Sequence, residues 1–229
     1  MSKQSRVGAI IVAAGTSSRM GQLDKVFAPL AGRPLLTHAI DVFEACLAIS
    51  DIVVVLSDKN RKRGQELLEE YSWKKVLCVC EGGPRRQDSV RNGINRLRVC
   101  DWLVIHDGAR PCITADLIER GLKVAQETGA AIAAVPTKDT IKQVDSDLII
   151  TSTPDRRTLW LAQTPQIFRS DIIERAYIRA SGDATDDAML VERLGYPVKV
   201  YHGSYENVKV TTPEDLIVAE AILAKRRGG

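Results

Sequence analysis

The run Val7-Gly-Ala-Ile-Ile-Val-Ala13 carries no charge, is too short to span a membrane, and gives way at Ala14 and Gly15 to the polar stretch Thr16-Ser-Ser-Arg19. Apolar residues without alternation mark a strand covered on both faces, which is how strands sit in a parallel sheet flanked by helices. Open α/β sheets hold their ligands beyond the carboxyl ends of such strands. Ala13, Ala14 and Gly15 fall there, small enough for a ligand to approach the backbone. Arg19 and Lys25 follow, one able to meet phosphate oxygens as a fork and the other as a point charge. Neither the Gly-x-Gly-x-x-Gly fingerprint nor a Gly-Lys-Ser/Thr loop is present. A plain strand-to-loop turn with two solvated cations is the competing reading of this segment.

Further strand-like runs at Ile52–Leu56, Lys75–Cys80, Trp102–His106 and Ala130–Val135 alternate with helical patterns beginning near Leu35, Arg61, Gln87 and Thr114. This alternation predicts an α/β fold with a doubly wound, mostly parallel sheet, helices on both faces and loops gathered along one edge. After Pro136 the rhythm changes. Thr140–Val144 and Leu148–Thr153 read as two short strands around Asp145-Ser-Asp147, a protruding β-hairpin arm too small to be stable alone. Asp171–Ala180, Asp186–Leu194 and Pro213–Lys225 read as helices, the last with Thr212 as N-cap and Pro213 in its first turn.

The chain has 229 residues, 45% of them apolar, enough to bury an ample core as one domain over 1–229 with 136–159 as the arm. Lys plus Arg number 32 against 29 Asp plus Glu. A balance of +3 is too mild for a nucleic-acid or membrane surface, so any anion site must be local. The five cysteines lack Cys-x-x-Cys spacing and sit in apolar surroundings, and the three histidines are scattered, so buried free thiols are expected and a zinc site is not. With no signal-like segment and no long apolar run, a reducing cytoplasm is the expected compartment.

Glu81-Gly-Gly-Pro-Arg-Arg-Gln-Asp-Ser89 follows the third strand and opens a helix. Gly82 and Gly83 expose backbone groups where Asp88 or Ser89 can cap, although a tight turn plus a cap explains them equally. His106-Asp-Gly-Ala-Arg110 ends a buried strand with Asp107 and Arg110 three apart at the ligand-bearing edge, an arrangement able to hold a divalent cation and an anionic substrate together. A salt-bridged loop is the alternative. Thr185-Asp-Asp-Ala188 reads as a helix N-cap with two dipole-matched carboxylates. Asn207-Val-Lys-Val-Thr211 places Lys209 on a short strand before the last helix, where function explains a lone Lys better than packing does, a solvated sheet edge being the alternative.

Taken together, Ala13-Ala-Gly-Thr-Ser-Ser-Arg-Met20, Asp24-Lys25, Gly82-Gly-Pro-Arg-Arg-Gln-Asp-Ser-Val90, His106-Asp-Gly-Ala-Arg-Pro111, Asp139-Thr-Ile-Lys142, Gln163-Thr-Pro-Gln166, Thr185-Asp-Asp-Ala188 and Asn207-Val-Lys-Val-Thr-Thr-Pro-Glu-Asp215 resemble the 2-C-methyl-D-erythritol 4-phosphate cytidylyltransferases of the non-mevalonate isoprenoid pathway, from about Val7 to Ala224. The opening motif is common to many sugar nucleotidyltransferases, so the later motifs in the same order carry the resemblance. Two positions depart from the family pattern: its Pro-Lys-Gln is Asp24-Lys25-Val26 here, and the second glycine of its opening loop is Ser17.

The resemblance implies a Rossmann-like nucleotidyltransferase fold and transfer of CMP from CTP to methylerythritol 4-phosphate, with Mg²⁺ and release of pyrophosphate. By the same resemblance Arg19 and Lys25 take the triphosphate, and Lys209 takes the α-phosphate. Ala13, Ala14, Gly15, Gly82, Gly83 and Ser89 frame the nucleotide. Asp107 serves the metal or orients the acceptor, and Arg110, Thr140 and Arg156 take the methylerythritol phosphate. In the family the arm crosses to a twofold-related subunit, so a homodimer with arm exchange is implied. The rival readings are a ribitol 5-phosphate cytidylyltransferase and a catalytically silent nucleotide-binding protein. Asp107-Gly-Ala-Arg110 and Asp88-Ser-Val-Arg91 weigh against the first, and the joint presence of Arg19, Lys25 and Lys209 against the second.

Overall fold

In the computed structural model, which describes residues 5–15, 24–179 and 181–228, β1 (Val7–Ala13) is buried along its whole length at the middle of a seven-stranded sheet. Alternate side chains explain this. Ala9, Ile11 and Ala13 pack into one apolar layer and Ile10 and Val12 into another, so both faces of the strand need cover. The other strands of the sheet are β4 (Asp51–Leu56), β5 (Val76–Glu81), β6 (Trp102–Asp107), β7 (Ala130–Pro136), β10 (Trp160–Arg169) and β11 (Lys199–His202). Their order is β11-β7-β10-β6-β1-β4-β5. Pairing is parallel except along β10, which runs antiparallel between β6 and β7.

Helices α1 (Leu35–Ala45), α2 (Asp58–Tyr71) and α4 (Ala115–Thr128) cover one face. Helices α3 (Arg86–Ile94), α5 (Ser170–Arg179) and α6 (Asp187–Arg193) cover the other. The ends follow local chemistry. Thr114 caps α4 by accepting from the Leu117 N–H at 3.3 Å, and Gly129 stops the helix at φ +86, where a side chain would be strained. Helix α7 (Pro213–Arg227) begins with the predicted Thr212 cap, now a reciprocal box with Asp215, and packs Ala219 on Leu30, Leu35, Cys112 and Val210. Leu30 and Arg33 belong to a minor hairpin of β2 (Pro29–Leu30) and β3 (Arg33–Pro34).

The sequence reading contained neither β10 nor β11. In β10 the apolar alternation is interrupted by Gln163-Thr-Pro-Gln166, and the ladder to β7 shifts register between Ala162 and Gln166, the kind of irregularity where a sheet tolerates proline. The predicted arm is a hairpin of β8 (Gln143–Val144) and β9 (Ile150–Ser152), shorter than expected because residues 140–142 find no strand partner. Asp145 Oδ1 turns it by accepting from the N–H groups of Asp147 (3.0 Å) and Ile149 (2.9 Å). Among the described residues no helix is long and apolar enough to cross a membrane.

Candidate active site

Since β1, β4, β5 and β6 run parallel, their carboxyl ends open on the same edge, and there the loops enclose a cleft of about 620 Å³. One wall is Ala13–Gly15, and the facing wall is Glu81–Arg86 with Ser89. The walls meet closely at Gly82: a Cβ there would collide with the Ala14 Cβ and come within 2.8 Å of the Ser89 Oγ. Ser89 Oγ in turn accepts from the Gly83 N–H at 3.0 Å, fixing the loop whose backbone lines the cleft. Asp88 satisfies the start of α3 by accepting from the Arg85 N–H.

The floor is a chain of charges that runs from the exposed Lys209 through Asp107 and Arg86 to the buried Asp187. Asp107, at the end of β6, has Lys209 Nζ 2.7 Å from Oδ2, and its Oδ1 accepts from Arg86 Nε at 3.1 Å. The far side of Arg86 places Nη2 2.8 Å from Oδ2 of Asp187, which is fully buried. Asp187 Oδ1 accepts from the Tyr177 hydroxyl at 2.5 Å, and its backbone N–H donates to Gln166 Oε1 at 3.1 Å. Burial opposes a charged Asp107, yet Arg86, Lys209 and Arg110 outweigh it and hold the carboxyl well below the usual carboxylate range. Burial likewise opposes the Arg86 charge, and Asp187 and Asp107 overcome it, so the guanidinium stays protonated.

Lys209 is not on a strand. Residues 207–210 form an irregular segment docked by one backbone bond, Val210 N–H to Ala109 O at 2.8 Å, and by the buried Asn207, whose Nδ2 donates to Thr164 O at 2.8 Å. Arg110, expected at the acceptor phosphate, does not line the cleft. It is buried, and its Nη1 donates to the Asn207 carbonyl at 2.7 Å, bracing the segment that carries Lys209. His106 is walled off as well. Its Nε2 faces the Arg110 carbonyl at 3.2 Å, so Nε2 carries the proton, and Nδ1 accepts from the Thr164 hydroxyl at 3.0 Å. Burial lowers its pKa to about 4.

Beyond this geometry, residues 7–225 match the family model IspD, 2-C-methyl-D-erythritol 4-phosphate cytidylyltransferase. The chain belongs to that family. It is 50% identical over 222 residues to the cytidylyltransferase of that name from Dehalococcoides mccartyi strain 195, covering 97% of this chain and 98% of the relative. The Alkaliphilus metalliredigens protein of the same name is 46% identical over 235 residues, covering 100% and 98%. Among solved structures, 4-diphosphocytidyl-2C-methyl-D-erythritol synthase from Anaerococcus prevotii superposes with a TM-score of 0.85 at 30% identity, covering 97% and 100% of the two chains. The Thermus thermophilus cytidylyltransferase gives 0.76 at 30% identity, covering 94% and 98%. This cytidylyltransferase fold is the doubly wound sheet expected from the sequence, and the activity that goes with membership is CTP-dependent cytidylyl transfer to methylerythritol phosphate in isoprenoid biosynthesis.

Of the residues singled out in the sequence, the cytidylyltransferase cleft gathers Ala13, Ala14, Gly15, Lys25, Gly82, Gly83, Ser89, Asp107 and Lys209. Arg19 lies outside the described residues. Thr140 and Arg156 are exposed on the arm, away from the cleft of their own chain, with Arg156 Nη1 donating to Lys138 O at 3.1 Å. Sequence reasoning missed Arg86, which lines the cleft, and Asp187, which holds it from behind. Of the two carboxylates read as a cap, only Asp186 caps α6, accepting from the Met189 N–H at 3.0 Å. Arg85 and Arg86 are neighbours of the same type, but Arg85 turns outward to Asp88 and Asp183 while Arg86 turns in. No local signal separates either pair.

Proposed function

We propose that the cleft binds CTP between its two small-residue walls and that the phosphate of methylerythritol 4-phosphate attacks the α-phosphorus in line, forming a P–O bond as the bond to pyrophosphate breaks. The observation that supports this best is that Lys209 and Lys25 share one cleft with the glycine wall. A phosphate monoester is already mostly dianionic at neutral pH, its second pKa being about 6, so the nucleophile needs no general base. The burial of His106, the histidine at the end of β6, is no obstacle to such chemistry. What the protein must supply is alignment and positive charge around a crowded phosphorus.

In this reading Arg19 and Lys25 hold the triphosphate, and Lys209 leaves Asp107 to meet charge as it develops on the α-phosphate. Ala13, Ala14, Gly15, Gly82, Gly83 and Ser89 frame cytidine, whose exocyclic amine and ring acceptor can be matched by fixed backbone groups. UTP inverts that pattern and leaves buried groups unpaired. A magnesium ion fits the donor set when it is held mainly by the nucleotide's phosphates and takes Asp107 as its protein oxygen, a common mode for this hard cation. Among the described residues no cluster of three ligands makes a cage for it. When bound it supplies Lewis-acid neutralisation of phosphate charge.

Thr140 and Arg156 serve the acceptor phosphate of the opposite subunit in a homodimer. The support is that the arm exposes Leu148, Ile149 and Ile150 and keeps both polar residues out of its own cleft. The free thiols and the charged substrates fit a reducing cytoplasm.

Pyrophosphate release from each of the four NTPs, with methylerythritol phosphate, ribitol phosphate or no acceptor, and with or without EDTA, tests the reading. We expect turnover with CTP, methylerythritol phosphate and a divalent cation together. Equal use of UTP would remove the cytidine assignment, and full activity in EDTA would remove the metal. For the arm, Arg19→Ala and Arg156→Ala subunits are mixed, dissociated and reassociated. Acting across the interface, they regenerate about a quarter of all sites. Activity that stays at the average of the two pure variants excludes the exchange.

A further inference from the structure

Lys25 enters the cleft from a single tight turn, Lys25–Phe27, and α2 grips that turn from one side. Asp24, whose side chain is 13% exposed, accepts a hydrogen bond from Asn60 Nδ2 and pairs with Lys59 Nζ at 3.3 Å. One helical turn further along α2, the Arg63 guanidinium lies 4.4 Å from the centre of the Phe27 ring. The Asp24 carbonyl closes the turn by accepting from the Phe27 N–H at 2.9 Å. Lys59, Asn60 and Arg63 stand at i, i+1 and i+4, a spacing that brings their side chains to one side of a helix. The helix itself does not require Asn60 to be buried. Its core contacts are Gly64 and Leu67, and the Asn60 N–H already bonds the Ser57 carbonyl. The amide is spent on Asp24, beyond the helix.

Asp24 also stands where the family pattern has proline, and its φ of −75 lies in the range a proline ring enforces. We propose that α2 is a clamp for Lys25: Asn60 and Lys59, acting through Asp24, are positioning residues that hold the lysine toward the triphosphate end of the cleft. A lysine head is a point charge on a flexible stem, so its value to a phosphate depends on where its Cα is held. Small displacements of charged groups around a reacting centre are costly in rate. The inference rests on the reading of Lys25 as a triphosphate ligand.

A double-mutant cycle tests it, with kcat, the KM for CTP and the thermal midpoint measured for each variant. Asn60→Ala is expected to lower kcat/KM for CTP about tenfold, chiefly through KM. In a Lys25→Ala background the same substitution should change kcat/KM less than about twofold, because the residue it acts through is gone. Asn60→Asp, which sets a repelling carboxylate beside Asp24 at nearly constant volume, should move in the same direction and covers the case in which Asn60→Ala folds poorly. Asp24→Ala should resemble Asn60→Ala, and Asp24→Pro should return kcat/KM most of the way to wild type. Equal losses in both backgrounds, or no loss with Lys25 present, would overturn the clamp, as would an Asp24→Pro variant no better than Asp24→Ala. Wild-type kinetics in Lys25→Ala alone would instead overturn the reading of Lys25.

Discussion

The cleft floor and the arm are both rich in polar residues, but they satisfy them differently. Asp107, Arg86 and Asp187 are buried or nearly so, and each has partners on other elements of the same chain, so the floor is complete within one subunit. Beyond its base, where Tyr205 donates to the Pro136 carbonyl and its ring meets Lys138, the arm's hydrogen bonds among the described residues stay within it. Asp145 turns its own hairpin, Lys142 donates to Thr153 at 2.9 Å, and Asp155 accepts from Arg157, while Leu148 is 79% and Ile149 64% exposed. A region whose charges are paired and buried can place a functional group by itself. A region that leaves large aliphatic side chains in water can do so only against another surface.

The largest expected effect tests the self-sufficiency of the floor. Arg86→Met leaves the fully buried Asp187 without its cation and takes one of the cations from Asp107, which keeps Lys209, and removal of one partner from a buried pair costs about 3–5 kcal/mol. Urea unfolding of the variant should show that loss, and stability equal to wild type would mean the floor is not held by its own pairs. Next is Lys209→Ala. Here kcat should fall roughly 10²–10³-fold with little change in the KM for CTP, the signature of a contact that strengthens in the transition state. Steady-state kinetics with near-normal kcat would return Lys209 to a merely structural partner of Asp107.

Acid sharpens the same contrast. Unfolding releases His106 from a pKa of about 4 to its ordinary 6.5, so between those values the unfolded chain binds the extra proton and stability falls as pH drops. At pH 5 this costs about 2 kcal/mol relative to pH 7. His106→Gln should flatten that part of the profile, and an unchanged slope would refute the assignment. The smallest effect belongs to the arm. Ile149→Ser should leave the stability of the isolated subunit within about 0.5 kcal/mol, because an exposed side chain has little to lose. In the proposed homodimer, sedimentation should nevertheless show weaker association, and association equal to wild type would overturn the arm as its interface.

Much of the site was legible because it lies on strand ends. The abrupt change at Ala13–Gly15 and the glycines after β5 carry their meaning locally, since a buried strand must end in a loop and small residues there admit a ligand. Lys209 stood out as a cation in an apolar setting, although its segment proved to be irregular backbone tied down by Asn207 and Arg110. For Arg110 the sequence shows that an arginine is near the edge, and packing decides that its Nη1 turns to the Asn207 carbonyl.

The sequence by itself determined the layered sheet, the edge that holds the cleft and most of the residues along it, because periodicity and small-residue breaks are properties of neighbours in the chain. The tertiary structure alone decided that β10 enters the sheet antiparallel. It alone joined Arg86 to Asp187, far apart in the chain, and set α2 against the turn that carries Lys25. Those choices depend on which groups meet after the chain has folded, where the cost of leaving a buried charge or amide without a partner selects one arrangement that no local pattern records.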